Sequence, residues 1–482
     1  MSHVDEILNA MRKDADVILI RAPPGSGKTW AAIKYAIENA FRDKKVAIFF
    51  RTRMEVSNAM RLAIEKENLV GFIPVVGKEF YCVKEEKIEF SRYHCFLKNC
   101  DLIYAHVRGF IEECMARRPK SLEELKSIIM KSVVPICPYH EIMRSARSSP
   151  IVFATYPFFI HNDLYERLGK RDILILDEAH TLAFPNIDWI PFSTYRMGYT
   201  YVRRRGENPD PREVAALIQR EPALGRSIAR YINWVSKPGI TIQKEGFFGK
   251  VVIPIRLIRK RLENCEKIIL MSSTLWPIRL FEILFGKGLR VEKIVIKGMS
   301  GTEKRKIFGL SCGLTSAFSM RNSRTYYDYA SIVKIFAKLK KPMIVFTPSK
   351  EFGIRICKIL GIEFEKETNN VLITVARGKY AEGIEVPMKE EPRIALILGL
   401  PYPRPNEEFR LICKIYSKFY GVDPKIMFNL MMEASMVSAL FQAAGRVGRQ
   451  RKGVVFIVDE RAKKLRIPMI NLNTALKITS IL

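Results

Sequence analysis

Three segments of this 482-residue chain combine residue types and spacings suited to handling a nucleoside triphosphate. In Ala22-Pro23-Pro24-Gly25-Ser26-Gly27-Lys28-Thr29, glycines permit a tight loop whose backbone N–H groups, with the helix start that follows, face phosphate oxygens. Pro24, Gly25, Ser26 and Gly27 form the cradle, Lys28 reaches the β- and γ-phosphates, and the Thr29 hydroxyl joins the shell of a Mg²⁺ ion. Ala22 stands where the strict pattern has glycine. In Asp177-Glu178-Ala179-His180, Asp177 is placed to share that ion, and Glu178 to orient and deprotonate the attacking water. In Gln442-Ala443-Ala444-Gly445-Arg446-Val447-Gly448-Arg449, two arginines spaced by glycines suit charge that accumulates on a γ-phosphate during transfer. The bland alternative there, a basic helix start, loses weight beside the other two segments.

Such loops must be presented by strands that end at them. Val17–Ile20, Val46–Phe50, Ile173–Leu176 and Ile268–Met271 are short, continuously apolar runs, the pattern of parallel strands buried on both faces. Met343–Phe346, Val371–Val375, Ile394–Leu398 and Val454–Val458 repeat it. Between them lie helical spacings, the first from Lys28 to about Lys44. This alternation predicts an α/β chain of two parallel-sheet units, residues 1–295 and 296–482, with functional loops at the carboxyl ends of the strands. Two or three βα units of about 30 residues each cannot fill the stretch from Thr29 to Asp177. The surplus lies near 78–140, and a second one, rich in Arg, Pro and aromatics, covers 186–260. The first unit is thereby split into 1–77, 141–185 and 261–295.

Lysine and arginine number 80 against 50 acidic residues, giving a net charge of +30. Self-repulsion of that size points to a polyanionic partner, because thermophilic lysine enrichment would raise glutamate alongside. No apolar run approaches the roughly 18 residues of a membrane span, and the first residues lack the order of a secretory signal. A cytoplasmic protein with no membrane partner is expected. Five of the nine cysteines, Cys82, Cys95, Cys100, Cys114 and Cys137, fall in the first surplus. In that compartment clustered thiols are more often metal or redox groups than disulfides. Their irregular separations do not match a zinc ribbon but are tolerated by an iron–sulfur cluster, which needs four thiolates. Small core cysteines are the competing explanation.

With Met271-Ser272-Ser273-Thr274-Leu275, the nucleotide segments resemble a superfamily 2 helicase core of two RecA-like domains. Gly77-Lys78-Glu79-Phe80-Tyr81-Cys82, Cys137-Pro138-Tyr139, residues 151–158, 378–385 and 399–405 are similar to the XPD family of iron–sulfur helicases. The resemblance spans nearly the whole chain, least clearly 186–260, which it makes a reduced arch-like insert. It implies ATP with Mg²⁺, single-stranded and forked DNA as partner, 5′→3′ movement and a monomer. It also implies a [4Fe–4S] cluster on Cys82, Cys95, Cys100 and Cys137, with Cys114 competing for the third place. By the same resemblance, His180, Ser273 and Thr274 couple hydrolysis to movement, and Gly383 and Glu385 add nucleotide contacts. Arg51, Thr52, Arg53 and Tyr156 become DNA contacts. Arg203, Arg204 and Arg205, with Tyr199 and Tyr201, suit gripping a single strand by charge and stacking, unless they form a solvated helix face. One departure stands out: residues 1–21 contain no glutamine, which relatives use to recognise adenine.

Overall fold

The computed structural model describes residues 2–481 apart from 24, 83–92, 99, 104–105, 133, 207–208, 276, 287, 297–304, 379, 382–385, 449–450 and 466. The chain divides into two compact units. One comprises Met1–Ala22, Ser26–Ser272 and Glu282–Ile296, the other Pro23–Gly25, Ser273–Phe281 and Lys297–Leu482.

The first unit carries β1 (Val17–Arg21), β2 (Val46–Phe50), β3 (Phe72–Val75), β4 (Ile151–Thr155) and β5 (Ile173–Leu176). It continues with β6 (Asn186–Pro191), β7 (Ile240–Lys244), β8 (Phe247–Val252), β9 (Lys267–Ser272) and β10 (Val291–Val295). Seven of these form a parallel sheet in the order β10-β1-β9-β5-β2-β4-β3. Strands β2, β4 and β5 are buried at every position, which is why their sequences show no polar alternation. The register brings the chemistry together. Arg21 pairs with Ser272 and Leu176 with Leu270, so the chain leaves β1, β5 and β9 at one edge of the sheet. The helix after the first loop runs Lys28–Ala40, shorter than the spacing predicts, and is followed by a turn in which Asp43 takes a left-handed φ of 59°.

Between β5 and β9 the chain builds a module of its own. Strands β6, β7 and β8 make an antiparallel sheet in the order β6-β8-β7, beside helices Phe192–Arg205, Pro211–Arg220 and Pro222–Ser236. Its core includes Ile190, Val214, Ile228 and Trp234, but also Tyr93 from the cysteine-rich insert. The Gln219 side chain donates to the Leu97 carbonyl (3.1 Å), tying the two inserts together.

The second unit contains β11 (Arg305–Ser311), β12 (Met343–Thr347), β13 (Val371–Val375), β14 (Ile394–Ile397), β15 (Gly453–Ile457) and β16 (Met469–Asn471). They form a parallel sheet in the order β13-β12-β14-β15-β11-β16. One of its helices corrects an expectation: Pro424–Ala444 is long and apolar enough to cross a membrane by length and composition, with mean hydropathy 1.3. The run is hidden in the sequence because Asn429 and Glu433 interrupt it. Met436, Val437, Leu440 and Ala443 pack it into the core beside residues of β12, β14 and β15.

Candidate nucleotide site and cysteine cavity

The loop after β1 has the backbone its glycines foretell. Gly25 and Gly27 take φ of +77° and +82°, and a Cβ on Gly27 would lie 2.7 Å from Val4 Cγ2. Lys28 is buried and its ammonium donates to the Ala22 carbonyl (3.2 Å), spanning the loop it is meant to serve. Ser26 Oγ is buried without a hydrogen-bond partner, an orphan that a phosphate oxygen would satisfy. Across the sheet edge, the Thr29 hydroxyl donates to Asp177 Oδ2 at 2.6 Å. The two oxygens expected to share a Mg²⁺ shell therefore already face each other.

Glu178 sits in the left-handed region (φ 52°, ψ 40°), an uncommon backbone for a residue with a side chain. That turn aims its carboxylate at β9. Ser272 Oγ donates to Glu178 Oε2 (3.0 Å), and His180 Nδ1 lies 2.8 Å from the same hydroxyl and 3.3 Å from Glu178 Oε2. With the serine hydrogen on Glu178, His180 fills the serine's acceptor role. Burial and the adjacent Glu178 charge raise the Asp177 carboxyl, against the Thr29 hydrogen bond. Burial would raise Glu178 too, but His180, Lys28 and Ser272 outweigh it and hold that carboxyl below its usual range. Among the expected coupling residues, His180 is in this network, Ser273 is half-buried, and Thr274 is buried. Ser272, next to them in the same motif, was not singled out by the sequence.

Tyr156 departs from its expected place at the DNA. Its ring is buried and its hydroxyl donates to the Asp177 carbonyl, so it supports the Asp177–Glu178 turn and offers no face to a base. Thr52 caps helix Arg53–Glu67: its hydroxyl accepts from the Glu55 N–H, while the Glu55 carboxylate accepts from the N–H groups of Arg51 (2.8 Å) and Thr52 (3.0 Å). Glu55 is legible after the fact as the fourth residue of a Thr-x-x-Glu capping box. Arg53 is exposed, with its guanidinium 5.6 Å from the Phe80 ring.

In the second unit, Gln442 lies in the last turn of helix Pro424–Ala444, not at a helix start. Arg446 follows in a turn pinned by Arg305, which donates to the Val447 carbonyl (2.6 Å). Arg446 is buried and donates to the Ala381 carbonyl (3.0 Å). Arg449, Gly383, Glu385 and Pro24 lie outside the described residues.

Cys82, Cys95, Cys100 and Cys137 line one cavity, together with Lys78, His94, Lys98 and Leu102. Backbone bonds draw their segments together: the Cys100 N–H donates to the Cys95 carbonyl (2.9 Å) and the Cys137 N–H to Leu102 (3.2 Å). Cys137 caps helix Pro138–Ser148; burial pushes its thiol up, opposed by the N–H groups of His140 and Tyr139. Cys114 is buried in helix Phe110–Ala116 and does not line the cavity. Among the described residues, no three His, Cys, Asp or Glu side chains converge closely enough to hold a single metal ion.

Arg203, Arg204 and Arg205 are exposed in the last turn of helix Phe192–Arg205. Tyr195 and Tyr199 stack at 5.9 Å, Arg203 lies over Tyr199 (6.0 Å), and Arg205 over Tyr201 (5.1 Å) while pairing with Glu213. Replacing Arg203 and Arg204 together by alanine is expected to flatten the salt dependence of single-strand binding by about 1.4 in log–log slope, at about 0.7 per phosphate contact. An unchanged slope in a salt titration would mark a solvated helix face.

Residues 64–189 match the DEAD_2 family and residues 358–473 the helicase C-terminal domain family. The chain is 24% identical over 542 aligned residues to the ATP-dependent DNA helicase XPD of Sulfolobus acidocaldarius, covering 96% of this chain and 95% of that protein. In fold it is similar to a solved XPD helicase (TM-score 0.65, 20% identity, 97% of this chain and 98% of the other). S. tokodaii Xpd4 is also similar (TM-score 0.56, 17% identity, 97% and 98%). The fold is the expected α/β arrangement of two RecA-like parallel-sheet domains.

Proposed function

We propose that this chain, XPD-like in sequence and fold, is an ATP-dependent DNA helicase that moves 5′→3′ on single-stranded DNA and separates duplex at its cysteine-rich insert. The observation that carries the motor is the continuous network Thr29–Asp177 and Glu178–Ser272–His180 along one sheet edge. Thr29 and Asp177 would hold the Mg²⁺ ion, which supplies positive charge to the β- and γ-phosphates. Lys28 binds those phosphates from the loop. Glu178, kept ionised by its partners, takes a proton from the attacking water. Arg446 and Arg449 would bring further positive charge to the γ-phosphate, and Gln442 a neutral hydrogen bond. Ser272 and His180 link the Glu178 carboxylate to the end of β9, so a change at the γ-phosphate reaches the Ser273–Thr274 segment.

Four thiols bordering one cavity supply the number of thiolates a [4Fe–4S] cluster needs, and such a cluster tolerates their irregular spacing in the chain. Cys82, Cys95, Cys100 and Cys137 would hold it, and it would cross-link segments of the insert that lie far apart in the chain. The shared core with the β6–β8 module adds rigidity to the same insert.

Hydrolysis by anaerobically purified full-length protein, with and without single-stranded DNA, tests the motor. DNA is expected to stimulate turnover, and Lys28→Ala to abolish it while sparing DNA binding. Binding without stimulated turnover would reduce the chain to a nucleic-acid scaffold.

A further inference from the structure

A stack of rings and guanidinium groups runs across the second unit and stops at an open ring. Arg355 lies over Tyr326 (5.0 Å), Tyr326 packs on Phe352 (5.0 Å), and Arg321 sits between Phe352 (5.2 Å) and Phe318 (5.7 Å). Phe318 ends the series and is 85% exposed. Leaving a phenyl ring in water forgoes about 1.5–3 kcal/mol of burial, and Met320 on the same short turn is 62% exposed as well, so the turn presents an apolar surface and not one stray ring.

The turn that carries the ring is anchored on both sides. The short turn Phe318–Met320 follows β11, at the carboxyl edge of the sheet where loops of such folds meet ligands. Arg321 Nε donates to the Ser316 carbonyl (2.8 Å), and buried Ser316 donates to Asp459 Oδ2 through its N–H (3.0 Å) and hydroxyl (2.9 Å). Asp459 is fully buried, and its carboxylate also accepts from the Leu400 N–H (3.2 Å) and from Arg461 (2.7 Å). A platform anchored to a buried carboxylate loses little freedom on binding.

We propose that Phe318 is a stacking platform for a base of single-stranded DNA, with Arg321 backing the ring and exposed Arg324, in the first turn of the next helix and 4.0 Å from Asp328, supplying positive charge toward the backbone. Any base has a π face, so such a site grips a moving strand without reading its sequence. The positive character of the stack and of the chain favours a polyanion over an apolar protein partner. The inference rests on the DNA-motor reading above and adds a specific contact to it.

The test compares wild type, Phe318→Ala and Phe318→Tyr as full-length proteins binding a labelled oligothymidylate over a range of salt. Phe318→Ala is expected to weaken affinity about tenfold, as loss of one stacked base does, with an unchanged salt slope. Phe318→Tyr should retain wild-type affinity, and hydrolysis without DNA should be the same in all three. Wild-type affinity in Phe318→Ala, or an equal loss in Phe318→Tyr, would overturn the platform. DNA-stimulated hydrolysis by wild type, measured on the same preparation, tests the motor separately: stimulation beside an inert Phe318→Ala sinks only the platform.

Discussion

Glu178→Gln is expected to lower ATP turnover by about 10²–10⁴-fold while ATP still binds, the size of effect that follows loss of a positioned general base. Glutamine keeps an oxygen that can accept from Ser272, so the link to β9 survives and only proton abstraction is lost. Asp177 remains to share the metal with Thr29. Glu178→Ala removes both functions, since it also leaves the buried Ser272 hydroxyl and His180 without their carboxylate. Pre-steady-state hydrolysis, with nucleotide affinity measured on the same variants, separates the two. A Glu178→Gln enzyme with near-wild-type turnover would place the base elsewhere.

Serine at Cys82, Cys95, Cys100 or Cys137 is expected to remove the visible absorption and bound iron of anaerobically purified protein. Cys114→Ser is expected to preserve both. The contrast follows from position: four thiols border one cavity, while Cys114 is packed within its own helix. Each cavity cysteine would supply one thiolate, and a cluster needs four. Iron lost in Cys114→Ser but retained in Cys100→Ser would exchange their roles. Zinc without iron in the wild-type protein would remove the cluster altogether.

What the sequence revealed, and what it hid, has a physical basis. Strands β2, β4 and β5 were legible because burial on both faces leaves unbroken apolar runs. The phosphate loop was legible because Gly25 and Gly27 are required by backbone conformation. The 186–260 segment was opaque: its core needs Tyr93 from another insert, a contact no local pattern announces. The choice between Cys100 and Cys114 was equally non-local, because spacing left both open and the cavity is closed by backbone bonds to Cys95 and Leu102. Tyr156 misled because its segment suggested DNA while its burial depends on the distant Asp177 carbonyl. Ser272 closes β9 and turns its hydroxyl to Glu178 at the end of a neighbouring strand, a contact its local motif does not announce.

Strand separation of 5′-tailed and 3′-tailed duplexes by the same protein tests the helicase proposal most directly. With ATP and Mg²⁺, unwinding of 5′-tailed substrates only is expected, and Lys28→Ala should abolish it. Unwinding from 3′ tails alone would contradict the direction. DNA-stimulated hydrolysis with no separation of either substrate would contradict the helicase itself.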